Sequence, residues 1–104
     1  MDEFQDHYEN QHVPLVLHST PTISRYVRNY VKADSTFSNL DSLTTPLCDV
    51  VTEAWFDSEA DFTKFQLDAS RPEVRKLISE DELSFIDRSA IRVFLVRECI
   101  STIS

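Results

Sequence analysis

The chain has no glycine in its 104 residues. That absence excludes the glycine-rich loops of Rossmann and P-loop nucleotide sites, where a backbone without a Cβ must approach a phosphate. Turns have to be made with Asn, Asp, Ser and Pro instead. No run of about 18 apolar residues occurs, so no membrane span is expected. The opening Met1-Asp2-Glu3-Phe4 is acidic and polar and does not read as a signal peptide. Bases are few: 10 Lys and Arg against 18 Asp and Glu leave a net charge of −8. Such a surface repels nucleic-acid backbones and anionic membranes, so neither is an expected partner. A local basic face is still open to it, because Arg25, Arg28 and Lys32 cluster. Two cysteines, Cys48 and Cys99, stand far apart with no metal-type spacing. They read as buried, inert thiols in a reducing, cytoplasmic compartment.

The length suits one domain with one core, spanning residues 1–104. Residues 2–17 carry Phe4, Tyr8, Val13 and Val16 at roughly helical spacing. Pro14 cannot donate an N–H, so the helix should kink or end near it. Ile23 to Val31 alternates and is rich in Tyr and Val, which predicts a strand with Tyr26, Arg28 and Tyr30 on one face. Residues 33–48 are rich in Ser, Thr and Asp and read as a long loop or lid. Asp49 to Phe56 predicts a second strand with Val51, Glu53 and Trp55 on one face. Ser58 is a good N-cap, with Asp61 three positions on. The helix that follows, from Glu59 to about Asp68, turns Phe62, Phe65 and Leu67 inward. Pro72 opens a helix running to Leu77 or Ile78, Glu80 to Ile86 reads as a separate short helix, and Ile91 to Cys99 alternates as a third strand.

His12 is the foremost acid–base candidate, because imidazole is the side chain that titrates near neutral pH. The plainer reading is a helix-end histidine bonded to a backbone carbonyl. His7 and His18 read as surface residues. Spacings of five and six do not put the three histidines on one helix face, so no metal site is expected. Tyr26 and Tyr30 could hydrogen-bond phenols and Arg28 could grip a carboxylate with its fork, or the stripe could pack against a dimer mate. Glu53 sits beside Trp55, and a carboxyl against an aromatic wall can act as an acid. It could equally be a solvent-facing residue paired with an Arg. Trp55 either lines a pocket or caps the core. Phe62, Phe65, Phe85 and Phe94 are most simply core. Glu80-Asp81-Glu82 reads as a solvated helix start, and Asp87 as a cap leading into the last strand.

Taken in order, Glu3-Phe4, Tyr8, His12, Pro14-Leu15-Val16 and Tyr26, then Glu53, Trp55-Phe56 and Ser58, then Asp81, Phe85, Asp87 and Glu98 resemble the EthD-type branch of the dimeric α/β-barrel superfamily. The resemblance implies an α+β, ferredoxin-like protomer with an antiparallel sheet, pairing into a homodimer with a pocket in each protomer. The first strand of the family pattern is absent or shortened here. Among fungal members, the pattern is similar to polyketide-tailoring proteins of the atrochrysone carboxylic acid decarboxylase type. That implies a cofactor-free lyase, a decarboxylase acting on an aromatic polyketide acid. His12, Tyr26 and Glu53 would be catalytic, and Tyr8, Arg28, Tyr30, Trp55 and Phe85 would bind substrate. The alternatives are a non-catalytic dimerising or ligand-binding relic, and a cyclase, dehydratase or isomerase.

Overall fold

A computed structural model describes residues 2–32 and 48–103. Of the expected lid, all but Cys48 lies outside these residues. The order is α1 (Glu3–His7), a π-helical turn (Tyr8–His12), α2 (Val13–Ser19), β1 (Arg25–Tyr30), β2 (Val50–Trp55), α3 (Glu59–Ser70), α4 (Pro72–Phe85) and a 3-10 turn (Arg88–Ala90). The chain is therefore α+β. No described helix is long and apolar enough to cross a membrane.

The first helical run does not end near Pro14 but continues to Ser19. Asp2 caps its start by accepting from the Gln5 N–H at 2.8 Å. Pro14 stands two residues past His12, the last residue of the π turn. Proline removes one backbone bond and crowds the carbonyl four residues back, and a wider turn just before it accommodates that ring without breaking the helix. The run stops at Thr20, fully buried, whose hydroxyl and N–H both donate to the Val16 carbonyl, at 2.6 and 2.8 Å.

β1 and β2 pair antiparallel with Arg28 opposite Thr52 and Tyr26 opposite Ala54. Alternation puts Tyr26, Arg28, Tyr30 and Thr52 on the face toward the first helical run. Arg25, Val27, Asn29, Val51, Glu53 and Trp55 fall on the other. The basic cluster is thus divided: Arg25 lies over the Trp55 ring and Arg28 points the opposite way.

Ser58 accepts from the Asp61 N–H at 3.1 Å and starts α3, as its sequence indicates. Phe62 and Phe65 turn inward against Phe56, whereas Leu67 is exposed. Residues 72–85 form one helix rather than two. No Gly or Pro follows Pro72 within it, and the acids at 80–82 lie inside the helix rather than at its start. Two further expectations are corrected. Ile91 to Cys99 forms no strand; it has no ladder partner, and Phe94, expected in the core, is 77% exposed. Both cysteines are exposed free thiols rather than buried ones.

Candidate functional site

The π turn decides what the first helix presents. In an α-helix, residues five apart diverge by about 140°. The i→i+5 bonding of a π turn closes that gap, and His7 and His12 come to the same side, against α4. There Asp81 receives both. His7 Nε2 lies 2.9 Å from Asp81 Oδ1, and His12 Nδ1 lies 2.8 Å from Asp81 Oδ2. A carboxylate only accepts, so both imidazole N–H groups donate to it. The Asp81 side chain is 18% exposed, the His7 side chain 29% and the His12 side chain 6%. Among the described residues nothing bonds His12 Nε2. The Phe85 ring packs on both imidazoles, with centroids 4.5 Å from His7 and 5.1 Å from His12. Ser84 Oγ stands 3.4 Å from His7 Nε2.

A second polar cluster joins the π turn to the sheet. Tyr8 OH and Thr52 Oγ1 are 2.7 Å apart. Arg28 donates from Nε and Nη2 to the two oxygens of Glu9, at 2.8 and 2.6 Å, and from Nη1 to the Tyr26 carbonyl at 2.7 Å. Tyr30 OH also donates to Glu9, at 2.5 Å. The Arg28 fork, helped by Tyr30 and opposed by partial burial, holds the Glu9 carboxyl down at about 2. Glu9 in turn raises the Arg28 guanidinium. Burial, and then the Glu9 charge and hydrogen bond, push the Tyr30 phenol up. Burial, and then the neighbouring Tyr8 phenol, push the Tyr26 phenol up. Both phenols stay protonated donors near neutral pH.

The structure brings together Tyr8, His12, Tyr26, Arg28, Tyr30 and Phe85 of the residues singled out above. It does not bring Glu53 and Trp55 there, because strand alternation turns both to the opposite face. Glu53 is exposed and accepts from Asn29 Nδ2 at 3.2 Å. The Arg28 fork, expected to grip a substrate carboxylate, is engaged by Glu9. Reading the sequence missed His7, Glu9, Thr52 and Asp81. Only Asp81 had a signal, as a position of the family pattern, and the flanking acids made it look like a solvated helix start.

A cleft of about 370 Å³ opens beside this cluster, lined by Glu3, Phe4, His7, Ser84 and Phe85. A second, of about 300 Å³, lies across Phe4, lined by Asp2, Gln5, Tyr30, Val31 and Asp49. Among the described residues no group of three or more His, Cys, Asp or Glu is placed to hold a metal ion.

A helical run carrying an inward histidine, packed on an antiparallel pair, is the setting in which the family comparison falls. The EthD domain family matches residues 1–89, so the chain belongs to that family. No curated protein and no solved structure matches it.

Proposed function

We propose that this chain is a cofactor-free acid–base enzyme, a lyase that decarboxylates an aromatic polyketide acid. It would work in the cytoplasm as a homodimer of ferredoxin-like protomers closing an α/β barrel. The observation that carries the reading is the His12–Asp81 pair. One ring nitrogen is pinned to a carboxylate and the other is left without a partner among the described residues. Pinning Nδ1 fixes the ring's orientation and tautomer and supports the charge on an imidazolium.

Decarboxylation of a β-keto acid needs little more. The bond to the carboxylate carbon breaks, CO₂ leaves, and the electron pair passes into an enolate. His12, as an imidazolium whose Nδ1–H is held by the Asp81 carboxylate, then gives its Nε2 proton to the α-carbon, becomes neutral, and takes a proton back from water before the next turnover. Tyr26, kept protonated, is suited to orient a phenolic oxygen, and Tyr30, whose proton goes to Glu9, is suited to accept from one. Glu53 and Trp55 have no part in this version, since they stand on the other face of the sheet.

The test is CO₂ release from β-keto polyketide acids. His12→Ala should lower turnover by about 10²–10⁴-fold with the solution mass unchanged. Unchanged turnover removes His12 from the mechanism.

A second reading is a ligand-binding or dimerising relic of the same fold. It is favoured by one specific observation: Tyr8, Arg28 and Tyr30 already satisfy one another through Glu9 and Thr52. Saturable binding of an aromatic acid without any turnover would select it. Cyclase, dehydratase or isomerase chemistry would use the same proton donor and differ only in the product.

A further inference from the structure

Residues 91–103 follow the 3-10 turn as a tail without regular structure. The tail lies beyond the residues matched to the family. Among the described residues it is the most apolar exposed stretch: Val93 is 87% exposed, Phe94 77%, Leu95 79%, Val96 84% and Ile100 84%. Its pattern is that of a strand apolar on both faces, with Val93 and Leu95 on one and Phe94 and Val96 on the other. Strands of that kind are buried on both sides in folded proteins. Left in water they are sites of association.

The sheet offers the complement. It has two strands, and among the described residues the outer edge of β2 pairs with no strand. A two-stranded sheet is marginal alone and gains from a third strand. The open face beside that edge also carries uncovered apolar surface, with Val31 40% and Val51 50% exposed. The charges agree as well. Arg92 and Arg97 outweigh Glu98 in the tail, while the whole chain carries −8.

We infer that residues 91–99 complete the sheet of a second copy of this chain, running antiparallel along the outer edge of β2, with the exchange reciprocal. Setting Leu95 opposite Thr52 places Val93 opposite Ala54 on the helix-covered face. On the open face it sets Val96 opposite Val51, and Arg92 opposite Trp55 within diagonal reach of Glu53. Among the described residues nothing buries the tail, and a second copy carries an open strand edge of matching pattern. Reciprocal exchange makes a closed, two-fold symmetric pair, which stops growth at two copies. This deepens the homodimer of the reading above and owes nothing to its chemistry.

The register brings Cys99 opposite Cys48 of the other copy, within reach of a disulfide, and both thiols are exposed in the single chain. The experiment is light scattering on the full chain, with peptide mapping after mild oxidation. The expected result is twice the chain mass of 12.0 kDa and an inter-chain Cys48–Cys99 disulfide. Phe94→Asp and Leu95→Asp should return the mass to that of one chain with an unchanged circular dichroism spectrum. A wild-type monomer overturns the inference, as does a Cys48–Cys99 bond within one chain, or an oxidised dimer joined only through Cys99 and Cys99. Aspartate variants that stay dimeric overturn it too. If those variants do not fold, the wild-type mass and cross-link still decide. Neither readout involves turnover, so an inactive protein would refute the decarboxylase and leave the exchanged dimer standing.

Discussion

His12 and Asp81 are 69 residues apart in sequence and 2.8 Å apart in space, Nδ1 to Oδ2. The same carboxylate holds His7 through its other oxygen, so one side chain of α4 fastens both ends of the π turn. A hydrogen bond to a charged group contributes about 1.5–3 kcal/mol, and a buried donor left without an acceptor costs a similar amount. Asp81→Ala should therefore lower the unfolding free energy by roughly 3 kcal/mol. Asp81→Asn should cost less, because an amide can still accept from one ring and donate to the other after a tautomer change. Urea unfolding of the two variants checks the order. Equal losses would mean that the amide recovers neither bond and that the carboxylate charge is what holds the two rings.

The fastening also predicts coupling. His7→Ala and His12→Ala each free one Asp81 oxygen, and the double variant leaves the carboxylate with neither partner. Two changes in one hydrogen-bonded network are not additive. The double variant should depart from the sum of the singles by about 0.5–3 kcal/mol, measured by the same denaturation. Additivity within error would mean that the two imidazoles act independently.

How much of this was legible in the sequence depends on what each element obeys. Both strands, the Ser58 cap and the shared face of Tyr26, Arg28 and Tyr30 follow from local alternation and capping, and the structure has them. The His7–His12 pair was invisible because helical reasoning assumes 3.6 residues per turn, and the π turn ahead of Pro14 breaks that assumption. Asp81 was hidden by Glu80 and Glu82, which made an inward carboxylate look like one of a solvated run. Glu53 and Trp55 were correctly placed on one strand face, but alternation alone does not say which face a helix will cover. Residues 91–99 have the pattern of a strand, and pattern cannot supply a neighbour to pair with.

Tyr8 and Thr52 tie the π turn to β2 through hydroxyls 2.7 Å apart, with Tyr8 buried. Tyr8→Phe keeps the ring, and with it the edge contacts to Phe4, His12, Tyr30 and Phe85. The loss should be only the hydrogen bond, about 1 kcal/mol. Thr52→Val should cost about the same, and the two together little more than either alone. A double-mutant cycle with a coupling energy near zero would show that the hydroxyls bond water rather than each other.

The Glu9 cluster makes the stability of this fold depend on acid. Its carboxyl is held at about 2 against an ordinary 4.5, chiefly by the Arg28 fork. A carboxyl depressed in the folded state binds its proton more readily when unfolded. Its stabilisation is therefore complete above about pH 4.5 and is lost as the pH falls through about 2. With the Glu9 side chain 27% exposed, solvent screening trims the contribution to about 1–2 kcal/mol. Unfolding free energies measured between pH 5 and pH 2 should fall more steeply for the wild type than for Glu9→Gln, and the two curves should converge at the acid end. Arg28→Lys should lie between them, because an ammonium keeps the charge but cannot make both fork bonds. Parallel curves for wild type and Glu9→Gln would mean that the pairing contributes nothing to folding. The Arg28 guanidinium could then leave Glu9 for a substrate carboxylate at little cost, which would return it to the binding role that its place on the strand first suggested.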